Sequence, residues 1–384
     1  MDPQNEVLSA SRITKIVSTL QDRRGTPQAL KFTNRTPMIP AAEGEIMARF
    51  QGHVLIADLI ADGQRAATYS AGKIYTETTS APNLKIGQSL DQEQLNMLLA
   101  KVNNMEVLDD LYPSTETRIV DNLRKGVWNR VESINIAARI GGFSYDRLGI
   151  KMENVDFGMP ADLRLTPADE WTDKVNAKPV TDLMLVKRIG SIKYGIEYDR
   201  VTMTLAAFNA MIETDEFQLK AKPFLRNDLT FTNLASANTE EMKNLAAKVV
   251  GLEIEIYDAR YWYENLADKA VKSAPFLPIN KVILESKSSD NDASVIDFGN
   301  GVVTEALISK LAKTTMMGEL PANARGPVGY ATAEHNPPSA TYWSVARGFA
   351  RRHVLQASAC LTIAPDTGTG SLIETVDFED YIFV

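Results

Sequence analysis

The chain has 384 residues, 44% hydrophobic and 23% charged, which is ordinary for a globular protein and long enough for two or three domains. Its formal net charge of −8 argues against a general nucleic-acid coat, because affinity for phosphate rests on excess Lys and Arg. A single cysteine, Cys360, excludes an intramolecular disulfide framework and a cysteine-based zinc site, and points to a reducing compartment.

The opening residues MDPQNEVLSASRITK lack a basic region followed by an apolar run, so no signal peptide is read. No stretch approaches the roughly 18 apolar residues of a membrane span, and a soluble intracellular product is expected. Residues 1–40 are polar, with Arg12, Lys15, Arg23, Arg24, Lys31 and Arg35 outnumbering Asp2, Glu6 and Asp22. They read either as an ordinary N-terminal segment or as an extended arm that orders against a partner. From 43 to 82, short strand signals are separated by Gly44, Gly52, Gly63 and Gly72. Alternation in Ala67–Tyr69 and Ile74–Glu77 around Ser70–Lys73 predicts a hairpin, a ribbon only marginally stable unless something covers it.

Asp91 and Gln94 form a capping-box pattern ahead of Leu95, Leu98, Leu99 and Val102, a short amphipathic helix that DDLYPST breaks. The strongest local signal lies at 114–140. Ile119, Val120, Leu123, Val127, Val131, Ile134 and Ala138 recur at spacings of three and four after Ser114, and Gly141-Gly142 ends the run. Such a helix spans about 39 Å.

Strand signals follow at 144–158 and in ADLRLT. Pro179 opens a helix with Leu183, Leu185, Val186 and Ile189 on one side. RVTMTLAAFNAMIETDEFQLKA reads as a strand and then one helix carrying Leu205, Phe208 and Met211, and NTEEMKNLAAKVVG as a further capped helix. In LEIEIYDARYWYENLADKAVKSAPFLPINKVIL, Leu252, Ile254 and Ile256 alternate with Glu253 and Glu255, three aromatics follow at Tyr261–Tyr263, and PFLPINKVIL reads as a second strand. The span 180–300 is therefore an α/β layer. Residues 326–384 are rich in Pro, Gly and aromatics and then strand-like at 354–363 and 371–384.

Chemistry leaves few candidates. His53, His335 and His353 have no metal-ligand spacing, and no phosphate loop or nucleophile elbow is present. Cys360 sits in an apolar strand pattern and reads as a buried thiol. Glu253 and Glu255 read as a solvated strand face rather than a catalytic pair. The basic cluster Arg347, Arg351, Arg352 and His353, interleaved with Trp343 and Phe349, is the best anion site or inter-subunit salt-bridge surface. No cofactor or metal is expected, and this raises the expectation of a structural or interaction protein.

Several stretches, in order, resemble the major capsid protein E family of tailed bacteriophages, the lambda-like branch of the HK97-like capsid fold. They are EWTDKVNAKPVTDLMLVKR (Glu170–Arg188), VTMTLAAFNAMIETDEF, GLEIEIYDARY with PFLPINKVIL, and GPVGYATAEHNPPSATYWSVARGFARRHVLQASACLTIA. The first 35 residues or so and 303–325 match no family pattern.

The resemblance implies an α+β protein with an N-terminal arm (1–40) and an E-loop hairpin (41–88). It further implies a peripheral domain (89–179 and 336–384, with a spine helix at 114–140) and an axial domain (180–335). It implies self-assembly as hexamers and pentamers into an icosahedral virion shell around packaged double-stranded DNA, built in the host cytoplasm. The partners would be a scaffolding protein, a portal and a decoration protein, with non-specific DNA contacts at the lumen and no membrane. Lys73, Tyr75, Trp262, Tyr263, Arg347, Arg351 and Arg352 are then subunit-interface candidates, although Tyr261–Tyr263 also read as a satellite core cluster. Lys73 and Asn336 invite comparison with relatives that crosslink through an isopeptide bond, but no glutamate stands at the expected distance, so no crosslink is expected. The alternatives are another phage shell or tail protein, and an α/β enzyme whose site leaves no motif.

Overall fold

A computed structural model describes residues 30–40, 46–51, 73–78, 82–90, 93, 115–147, 150–224, 239–264, 271–300, 328–335 and 338–364. In chain order the first elements are α1 (Lys31–Arg35), β1 (Met38–Pro40), β2 (Ile46–Gln51), β3 (Lys73–Thr78), β4 (Asn83–Leu90), α2 (Thr115–Ile140), β5 (Gly142–Arg147), β6 (Ile150–Asp156) and β7 (Arg164–Leu165). Next come α3 (Pro179–Ile189), β8 (Arg200–Met203), α4 (Leu205–Glu213), α5 (Asp215–Ala221), α6 (Thr239–Val250) and β9 (Glu253–Ile256). The last are β10 (Arg260–Glu264), β11 (Val271–Pro275), β12 (Lys281–Glu285), β13 (Ile296–Asn300), β14 (Val328–His335), β15 (Pro338–Arg352) and β16 (Ser358–Thr362). The short helix expected at 91–103 and the strand at 371–384 fall outside the described residues, apart from a helical Glu93.

The chain divides into two compact units. One is Met1–Glu45, Thr78–Ile134 and Phe298–Ala350; the other is Ile46–Glu77, Asn135–Asp297 and Arg351–Val384. The division falls inside α2, whose 26 residues match the helix expected at 114–140. Its three-and-four spacing buries Ile119, Leu123, Val127, Val131, Ile134 and Ala138. Gly141 ends it in the left-handed region at φ +102°, donating its N–H to the Ala137 carbonyl at 2.9 Å.

In the first unit, a sheet runs β1-β13-β15-β14, with β4 also paired to β15. β1 is parallel to β13, while β14 and β4 are antiparallel to β15. Leu84, Leu90, Tyr342, Val345, Ala346 and Phe349 supply its buried side chains. Trp343 lies opposite Gly87 in register, so a Cβ at 87 would enter the indole. The Lys85 ammonium stands 4.4 Å from the centroid of the same ring. Residues 30–40 are built into this unit, with Leu30 and Phe32 buried and Met38–Pro40 in the sheet.

The second unit holds a mixed sheet ordered β7-β16-β12-β8-β9. Its centre is β12, antiparallel to both β16 and β8, and Val282, Ile283 and Leu284 are buried on both of its faces. The helices α3–α6 supply buried side chains to its core. β9 behaves as expected: Leu252 and Ile254 are buried and Ile256 packs at the margin, while Glu253 is exposed and Glu255 half-buried.

Two expectations fail here for local reasons. Leu185 is half exposed, because at 100° per residue it stands 200° from buried Leu183. The single helix expected after β8 is two. Thr214 donates its hydroxyl to the Met211 carbonyl at 2.8 Å and accepts the Phe217 N–H at 3.4 Å, ending α4 and capping α5. That break lets α5 reach back to α3. Lys178 gives α3 no side-chain cap, and the Glu216 carboxylate accepts the Val180 N–H at 2.9 Å and the Thr181 N–H at 3.4 Å instead. Burial raises the Glu216 pKa, but hydrogen bonds from Lys220 and Thr181 outweigh it and leave the carboxyl below its usual range.

Candidate assembly surfaces

Among the described residues, three two-stranded ribbons lie apart from the two five-stranded sheets, namely β2–β3 and the antiparallel β5–β6 and β10–β11. A two-stranded ribbon carries little stability of its own and relies on neighbours. The first falls within the span where the sequence predicts a projecting hairpin. Lys73–Thr78 pairs with Ile46–Gln51, with Lys73 at the start of the strand and Tyr75 mid-strand. Residues 52–72, including the other strand and the turn of the expected hairpin, lie outside the described residues. β4 extends to Leu90, so the last residues of the span 41–88 belong to the sheet of the first unit.

The ribbon β10–β11 sorts its three aromatics by alternation. Tyr261 is buried, with its ring centroid 5.0 Å from Phe276 and 6.1 Å from Tyr263, and Tyr257 joins the group 6.4 Å from Phe276. Trp262 points the other way and is 67% exposed, and Val271 on the paired strand is 69% exposed. Burial therefore separates the three residues. The two tyrosines form a satellite cluster within the unit, with Tyr263 half-buried at its edge, while Trp262 is free to meet something else.

The basic cluster divides as well. Arg347 is half-buried on β15 opposite Asn83. Arg351 and Arg352 are buried and turned inward, which corrects their reading as surface contacts. The Arg351 guanidinium meets Asp297 at 2.6 and 2.9 Å, and His353 Nε2 lies 3.0 Å from the same carboxylate. Arg352 is fully buried and donates to the carbonyls of Ala138 (2.9 Å), Leu355 (2.6 Å), Ser358 (2.8 Å) and Val354 (3.3 Å). Ala138 lies in the last turn of α2, where orphan carbonyls carry partial negative charge, so a cation is favoured there.

A second buried network escapes sequence reading altogether. Glu285 accepts from Arg139 Nε at 3.0 Å and from Arg200 Nε and Nη2 at 3.0 and 2.5 Å. Asp290 binds the far side of Arg200 with two contacts of 2.7 Å. Burial alone would lower the Arg200 pKa, but the two carboxylates more than reverse that and hold the guanidinium charged. Among the described residues no cluster of three or more His, Cys, Asp or Glu side chains is arranged to hold a metal, and no helix is long and apolar enough to cross a membrane. Cys360 is buried in β16, as its apolar setting predicts.

Asp182 offers a pH readout. Burial raises its pKa, the hydrogen bond from Trp171 Nε1 at 3.0 Å opposes this, and the charges of Glu216 and Asp169 add to the rise. A carboxyl raised on folding disfavours the folded state once ionised. Asp182→Asn keeps an acceptor for Trp171 and is therefore expected to be more stable than wild type at pH 7. The advantage should close as pH falls through the ordinary Asp range near ~4, measured by urea unfolding followed through tryptophan fluorescence. A difference that is flat with pH would contradict the assignment.

No family model matches the chain, and no curated protein matches it by sequence. Solved structures do. A phage-related protein from Bordetella bronchiseptica RB50 aligns with a TM-score of 0.51 at 13% identity, over 91% of this chain and 96% of that one. A protein assigned as a prophage capsid protein in Escherichia coli CFT073 aligns with a TM-score of 0.52 at 14% identity, over 93% of this chain and 99% of that one. The fold is HK97-like. At such low identity the likeness concerns architecture. The HK97-like fold here consists of the long α2, the two sheets and the three ribbons, and the residues that hold it are this chain's own.

Proposed function

We propose that the chain is the major capsid protein of a tailed bacteriophage, assembling as hexamers and pentamers into an icosahedral shell around packaged DNA. The observation that carries this reading is the fold match over more than nine-tenths of both chains to the E. coli prophage protein assigned as a capsid protein. On this reading residues 1–40 are the N-terminal arm and 41–88 the E-loop, while 89–179 with 336–384 form the peripheral domain and 180–335 the axial domain. The role is structural rather than enzymatic, and the virion is its location. A scaffolding protein, a portal, a decoration protein and lumenal DNA contacts are the partners this role calls for.

Rings built from one subunit need head-to-tail contacts that close. Ribbons that are marginal alone and carry an exposed indole suit such contacts, since buried aromatics dominate interface energetics. Of the interface candidates, Trp262 fits best, with Lys73, Tyr75, Tyr263 and Arg347 also at positions of ribbon or strand. Trp262→Ala is expected to leave monomer unfolding within about 0.5 kcal/mol of wild type. It should also weaken assembly by about 2 kcal/mol, roughly thirtyfold in the concentration needed. Sedimentation velocity across a concentration series, with and without scaffold, reads both species. Unchanged assembly of the variant would remove Trp262 from the interface, and a single small species at every concentration in wild type would remove the capsid reading.

A further inference from the structure

The short helix α1 begins without a cap of its own. Leu30 stands at its N-cap position and offers no side-chain acceptor, so the first-turn N–H groups need partners from elsewhere. They find one a hundred residues away. The Glu132 carboxylate, on α2 and fully buried, accepts the Phe32 N–H through Oε1 at 3.0 Å and the Thr33 N–H through Oε2 at 2.6 Å. The rest of the segment is fastened more conventionally. Thr36 donates its hydroxyl to the Phe32 carbonyl at 2.7 Å, Phe298 donates its N–H to the Pro37 carbonyl at 2.9 Å, and Met38–Pro40 runs parallel to β13.

We infer that Leu30–Pro40 is a strap clasped to the middle of α2 by the Glu132 carboxylate, and that this clasp sets how readily the strap opens apart from the rest of the fold. The segment is short and its ladder to β13 has three residue pairs. Beside the buried side chains of Leu30 and Phe32, two charge-assisted hydrogen bonds contribute to its hold, and such bonds are about twice as strong as neutral ones. Both carboxylate oxygens are used, so the clasp needs the ionised form. A glutamine supplies one acceptor and turns an NH₂ donor toward the second N–H.

The test is hydrogen exchange on full-length wild type and Glu132→Gln, resolved to peptides covering 30–40 and, as an internal reference, 281–285. The clasp predicts that the variant exchanges about tenfold or more faster at Phe32 and Thr33, the size of one lost hydrogen bond to a charged group, with 281–285 unchanged. Unchanged exchange at 30–40, or an equal rise in both peptides, would overturn it. Should the variant fail to fold, wild type in sub-denaturing urea decides the same point. The strap amides should open at lower urea than those of 281–285, and a single shared transition would contradict a separable strap.

Discussion

Glu285→Gln is expected to destabilise the second unit by about 3–5 kcal/mol, the cost of stripping one partner from a buried ion pair. The substitution keeps volume and shape, so the loss isolates charge. Both guanidiniums lose a contact to an ionised carboxylate. Arg200 retains the two 2.7 Å contacts to Asp290, and Arg139 retains its 3.2 Å hydrogen bond to the Asn135 carbonyl. Arg139→Met in the Glu285→Gln background removes one of the two buried cations and should recover part of the penalty. A domain of this size loses about 2–4 °C of Tm per kcal/mol, so a fall of about 6–20 °C is expected by calorimetry. A shift below about 2 °C would mean that Glu285 is far more solvated than its burial indicates.

Arg352→Met is the second large effect. Its guanidinium serves four carbonyls, one of them at the end of α2, and a thioether serves none. A buried carbonyl left unpaired costs about 1–3 kcal/mol, while removal of a buried charge returns part of this, so a net loss of roughly 3–5 kcal/mol is expected. Arg352→Lys keeps the charge but not the planar fork, and should fall between wild type and the methionine variant. Urea unfolding of the three proteins gives the order. Equal stability of Lys and Arg at this position would show that charge alone, and not the carbonyl geometry, matters.

What could be read from the sequence follows from range. The helix Thr115–Ile140 is set by its own periodicity and a terminal glycine, both local, and its ends fall within a residue of expectation. The succession of helix, strand, helices, strand and hairpin over 180–300 is local in the same sense. Trp262 could be picked out as a candidate, though whether it faced inward depended on alternation against a core the sequence does not display. The misreadings are contacts across distance. Arg351 and Arg352 look like a surface cluster in a string of letters. In the fold, Arg351 meets Asp297 on a neighbouring strand and Arg352 meets the end of α2, 214 residues earlier. Glu285 pairs across 146 and 85 residues, and Glu132 across 100, and no spacing rule anticipates such partners. The break at Thr214 was available locally, since a threonine followed by Asp215 and Glu216 is an N-cap signature that the apolar periodicity masked.

The capsid reading is tested most directly by negative-stain electron microscopy of the full chain, made alone and together with its candidate scaffolding protein. Closed shells of uniform diameter, or free rings of five and six subunits, are the result expected. A uniform small species in both preparations, at concentrations where it remains folded, would contradict self-assembly as the function of this HK97-like fold.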